Sequence, residues 1–133
     1  MRPVVAGIGG ESGSGKTTLL VGLIAALTAE GRSVGAIKHT HHPLTGESRG
    51  DTAAFLEAGA RPVILAGDSE AVIFTGAGAT RLAWSAPPDL VAHFDTDFVL
   101  VEGFKSFRGW PRIEPGCSVA EARAILDRIA ADP

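Results

Sequence analysis

Apolar residues in this chain occur in two arrangements. Residues 4–9 (VVAGIG), 33–38 (SVGAIK), 62–66 (PVILA), 71–75 (AVIFT) and 98–101 (FVLV) are short, nearly continuous apolar runs. Runs of that length, rich in Val and Ile and bounded by Gly, Pro or polar residues, predict strands buried on both faces. Residues 16–30 instead place Leu19, Leu20, Leu23, Ile24 and Leu27 at helical spacing, with Gly31 as the stop. Residues 118–131 do the same with Val119, Ala122, Ile125, Leu126 and Ile129. Ser118 and Glu121 open that helix as a capping box. A shorter helix is predicted over 51–58, closed by Gly59, and helical turns over 80–85 and 88–92. Polar stretches at 39–50 and 103–116 read as loops, with 112–114 as a short extended segment in the second. Strands alternating with helices predict an α/β fold with a mostly parallel sheet.

One junction carries chemistry. Gly10-Glu11-Ser12-Gly13-Ser14-Gly15-Lys16-Thr17 matches G-x-x-x-x-G-K-[ST], between the first strand and the first helix. Glycines let the backbone pass close to phosphate oxygens, and its N–H groups then form an anion nest. The helix N-terminus adds positive potential. Lys16 is placed for the β- and γ-phosphates, Thr17 for Mg²⁺, and Thr18 for the α-phosphate. The context predicts a three-layer P-loop NTPase-like fold with helices flanking the sheet.

A P-loop needs an acidic partner for Mg²⁺. Glu102, at the end of the 98–101 run and followed by Gly103, is one candidate; a strand-end carboxylate facing water is the plainer reading. Asp51 is another, either as a metal group or as the N-cap of the helix after it. Lys38, His39, His41 and His42 follow the second strand and so reach the same sheet edge. They read as a phosphate- or substrate-contacting loop or as a solvated one. Zinc is disfavoured, because the histidine spacing is poor and no acidic residue or cysteine stands nearby in sequence. Lys105 and Arg108, interleaved with Phe104 and Phe107 and joined by Trp110, predict a lid or docking loop.

Composition narrows the setting. A length of 133 residues predicts one nucleotide-binding domain over 1–133. The formal net charge of -3 argues against a nucleic-acid partner. The single Cys117 excludes an intrachain disulfide framework, making a reducing, cytoplasmic setting the default. No run reads as a signal peptide or a membrane span.

The P-loop segment GIGGESGSGKTTLL, followed by GAIKHTHH, DTAAFLEAGA and DFVLVEGFK, resembles the MobB family of molybdopterin-guanine dinucleotide biosynthesis accessory proteins. KHTHH and VEGFK in this order are far more specific than the P-loop alone. The resemblance implies a dimeric GTP-binding protein that assists the guanylyltransferase MobA in attaching GMP to molybdopterin, with weak GTP hydrolysis of its own. It implies that Gly10 to Thr17 hold the phosphates, that Thr17, Asp51 and Glu102 serve Mg²⁺, and that Lys38, His39 and Lys105 line the phosphate edge or a partner surface. Dethiobiotin synthetase-like NTPases, a related group, also end this strand in VEG. Family members continue after VEGFK with an apolar strand, a base-holding loop and a final helix. Here residues 104–117 are poor in apolar sequence and no N-K-x-D guanine signature occurs, so the base-binding end is expected to be shortened or built differently.

No residue stands out as a base for activating water, so slow hydrolysis at most is expected. Two other functions fit the residues. In a small-molecule kinase, Asp51, His41 or His42 would position an acceptor. In a regulatory switch, nucleotide would alter dimerisation or docking.

Overall fold

A computed structural model describes residues 3–9, 15–44, 46 and 50–131. Gly10, Glu11, Ser12, Gly13 and Ser14 of the P-loop lie outside the described residues. The elements, in chain order, are β1 (Val4–Ile8), α1 (Lys16–Ala29), β2 (Val34–His39), α2 (Gly50–Ala58), β3 (Val63–Ala66), β4 (Glu70–Thr75), β5 (Gly78–Ala83), α3 (Pro87–Val91), β6 (Phe98–Glu102), β7 (Arg112–Ile113) and α4 (Val119–Ala131).

The seven strands form one sheet in the order β5-β4-β3-β2-β6-β1-β7. Five strands, β3-β2-β6-β1-β7, run parallel. The β4–β5 hairpin extends the sheet antiparallel from β3. Strand β6 alternates between two cores: Phe98 and Leu100 face one, Val99 and Val101 the other. Such continuous apolar runs are what a strand covered on both sides requires. The first core packs Leu19, Leu20, Leu23, Ile24 and Leu27 of α1, Phe55 of α2, and Ala122 and Leu126 of α4 against the sheet. The second is thinner and is covered by Leu90, Phe94 and Phe104. This is the expected α/β sandwich. No helix among the described residues is long and apolar enough to cross a membrane.

Residues 80–85 are not a helical turn. They belong largely to β5, in which every residue except Leu82 is exposed. With no buried face, the strand lacks the alternating apolar signature that identifies one. It is held by its ladder to β4, by Arg81 donating to Glu70 (3.1 Å), and by the Trp84 indole donating to the Glu70 carbonyl (3.2 Å). The sheet also gains a strand beyond β1: Arg112 and Ile113 pair with Gly7 and Ile8 within the stretch read mainly as loop.

Gly35 on β2 shows how tightly the second face closes. A Cβ there would lie 2.2 Å from Cδ1 of the Phe94 ring. Gly35→Ala is expected to destabilise the protein by about 2 kcal/mol through overpacking. Thermal unfolding should show the loss, with much of it recovered when Phe94→Leu is added.

Candidate functional site at the carboxyl edge of the sheet

Parallel pairing brings the ends of β1, β2 and β6 to one edge. Ile8 and Lys38 both register with Glu102. Helix α1 begins at the same edge with Lys16 and Thr17. Ligands gather there in open parallel sheets, because the strand ends and helix N-termini converge.

Four side chains meet. The Thr17 hydroxyl lies 3.0 Å from Glu102 Oε1 and 3.3 Å from Asp51 Oδ2. Its single proton serves only one of those acceptors at a time. The Lys38 ammonium donates to Glu102 Oε2 at 2.6 Å and also to Asp51. Glu102 is almost fully buried and Asp51 half-buried. Burial works against charge on Lys38. Its hydrogen bonds to Asp51 and Glu102, and their negative charges, outweigh that and raise its pKa. The group balances one ammonium against two carboxylates around a hydroxyl. A hollow of about 380 Å³ opens over it, lined by Lys16, Thr17, Thr18 and Asp51 among others.

The structure brings both acidic candidates, Asp51 and Glu102, together beside Thr17, in surroundings that differ from the plainer readings. Glu102 is not a water-facing strand end. Asp51 is not an N-cap but the second residue of α2, its carboxylate turned to Lys38 and Thr17. Lys38 sits between the carboxylates. Gly103 is required by its neighbour: φ is 103°, and a Cβ would lie 2.7 Å from the His39 Cβ. His39 itself is the last residue of β2 and not part of the following loop.

A second, larger hollow of about 700 Å³ adjoins this group. Lys16, Lys38 and Glu102 line it together with His39, Phe104 and Lys105, and His41 and His42 also reach it. The His39 and Phe104 rings stack at 4.4 Å with 2° between their planes. Trp84 meets the Phe104 ring edge-on at 5.4 Å, and Phe107 packs on Trp110 at 4.6 Å. Phe104 holds this position with φ 55°, an uncommon backbone for a bulky residue. Arg112 of β7 clamps the turn, donating to the carbonyls of Phe104 (2.7 Å) and Phe107 (3.1 Å). Burial, reinforced by the neighbouring charge of His41, pushes the His39 pKa down against the opposing pull of Asp68.

Trp84, Arg112 and Asp68 escaped the sequence reading. Trp84 follows the misassigned β5. Arg112 acts through backbone carbonyls, which leave no motif. Asp68 comes near the histidines only because His39 registers with Ala66 across β2 and β3.

The model of the family described as "MobB: Molybdopterin guanine dinucleotide synthesis protein B" matches residues 5–122. Over 104 residues the chain is 45% identical to the "Molybdopterin-guanine dinucleotide biosynthesis adapter protein" of Haemophilus influenzae, covering 74% of this chain and 56% of that one. Over 106 residues it is 39% identical to the Escherichia coli protein of the same description, covering 71% and 55%. The matched part thus spans little more than half the length of those curated relatives. Among solved structures, the crystal structure of Bacillus subtilis MobB is similar with a TM-score of 0.50 at 22% identity, covering 92% of this chain and 72% of that chain. That likeness shows a shared fold.

Proposed function

The chain belongs to the MobB family, and on that premise we propose that it is a GTP-binding accessory protein of molybdenum cofactor biosynthesis, assisting the guanylyltransferase that forms molybdopterin-guanine dinucleotide. The observation that carries the reading is the convergence of Thr17, Asp51, Glu102 and Lys38 beside the P-loop helix. The donors are hard oxygens, one hydroxyl and two carboxylates, and they suit Mg²⁺. Bound there, Mg²⁺ supplies neutralisation of phosphate charge. Lys16 contributes a second positive charge to the phosphates, and the sequence motif over residues 10–17 is the signature of a phosphate-binding loop. Asp51 and Glu102 are both engaged by Thr17 and Lys38, so neither is a free base for water, and hydrolysis is slow.

In this reading residues 1–133 act as one nucleotide-binding domain, working in the cytoplasm as a homodimer. The larger hollow, with Lys38 and Lys105 at its wall, takes an anionic ligand: molybdopterin or an acidic segment of the MobA-like enzyme. Titration with Mg-GTP and Mg-ATP tests it. Binding is expected to favour GTP, and Lys16→Ala should weaken it about tenfold or more. Equal binding by wild type and Lys16→Ala would remove the P-loop assignment. One observation favours a second reading, a small-molecule kinase: the 700 Å³ hollow adjoins the acidic group and has room for an acceptor. ATP-dependent phosphorylation of a pterin or small metabolite would replace the accessory role.

A further inference from the structure

A second group of potential metal ligands shares no residue with the oxygen site. His39 Nε2 lies 3.8 Å, and His41 Nδ1 3.4 Å, from the same oxygen of Asp68. Across the three residues the ligand atoms all lie within 4.8 Å of one another. Donors around a tetrahedral zinc ion, at about 2.0–2.1 Å from the metal, stand roughly 3.3 Å apart. The two histidine–Asp68 separations, 3.8 and 3.4 Å, are near that spacing, and His41 and Asp68 are exposed side chains able to close the wider remainder.

We propose that His39, His41 and Asp68 form a binding site for a divalent transition-metal ion of the zinc class. Two imidazoles and one carboxylate are the donor set such ions prefer, whereas Mg²⁺ prefers oxygens alone. Three protein ligands leave a fourth position for water or an anionic ligand. The fold preorganises the set at two of its three members. His39 is fixed by its place at the end of β2 and by its stack on Phe104. Asp68 sits in the tight turn between β3 and β4, closed by the Gly67 N–H donating to the Glu70 carbonyl at 2.8 Å. The Thr40 N–H, donating to the Ala66 carbonyl at 2.8 Å, ties the segment carrying His39 and His41 to β3 just before that turn. A bound ion would join the 39–42 segment to the β3–β4 turn beside the larger hollow, which His39 and His41 both line.

The site is tested with the chelator-treated full chain in excess Mg²⁺, an oxygen-preferring ion against whose background zinc-class binding is read. Zn²⁺ is titrated against a chromophoric competitor, and Co²⁺ serves as a spectroscopic probe. One equivalent should bind, and Co²⁺ should show the intense visible bands of a low-coordinate site. His41→Ala and Asp68→Ala should each weaken binding tenfold or more, while His93→Ala, at the chain's remaining distant histidine, leaves it unchanged. Both variants alter exposed side chains, so folding is retained and circular dichroism should match wild type. Absence of stoichiometric binding overturns the proposal. So does binding that survives both substitutions, or that is lost equally with His93→Ala.

Discussion

Glu102→Gln is expected to weaken Mg²⁺-dependent nucleotide binding about a hundredfold, or ~2.7 kcal/mol. The side chain is buried at the end of the central strand β6 and is the point where Thr17 and Lys38 meet. Gln keeps the shape and one acceptor but removes the charge that a divalent ion requires. The same substitution should lower stability by about 1–2 kcal/mol, because Lys38 keeps only Asp51 as a charged partner. The double variant Lys38→Met/Glu102→Gln separates the two roles. Stability should return toward wild type once the half-buried ammonium, left with Asp51 alone, is gone, whereas nucleotide binding should not. If binding also recovers, Glu102 serves Lys38 and not the metal. Isothermal titration and urea unfolding of the three proteins supply both readings.

Leu100→Ala should cost about 4 kcal/mol, toward the upper end for such substitutions. Leu100 is fully buried on β6, and its register neighbours on the two flanking strands are Ala6 and Ala36. Those alanines offer no side chain long enough to move into the vacated space, so the cavity persists beneath α1. A fall in Tm on the order of 10 °C is the corresponding observable. A measured loss under 2 kcal/mol would mean that α1 settles onto the sheet, which its five buried apolar side chains oppose.

What could be read ahead of the coordinates follows from how local each signal is. The core face of α1, the capping box of α4 and the strand ending at Glu102 are written in adjacent residues, and each is found where expected. In α4, Ser118 and Glu121 exchange their two hydrogen bonds at 3.0 and 3.1 Å. Glu102 could be singled out because a P-loop calls for an acid at the end of a neighbouring strand, and it does lie beside Thr17. Strand β5 was not, since its stabilisation lies in a ladder to β4 and not in burial. Asp68 was invisible for a different reason. It stands 27 positions after His41, and only the β2–β3 register makes them neighbours. The need for glycine at 103 was likewise hidden, because the atoms a side chain there would meet belong to His39 on a different strand.

Lys38 also bears on what a metal can mean for this fold. Two carboxylates buried or half-buried beside a hydroxyl would repel one another if left alone. Here an ammonium from the adjacent strand already stands between them. The chain thus carries its own resident cation, and the sheet edge is held together before any ion arrives. Removing Mg²⁺ should leave the melting curve of the free protein where it was. An incoming ion competes with a tethered side chain and does not fill a void. Its affinity therefore depends on what else arrives with it, and nucleotide phosphates are the natural destination for a displaced ammonium.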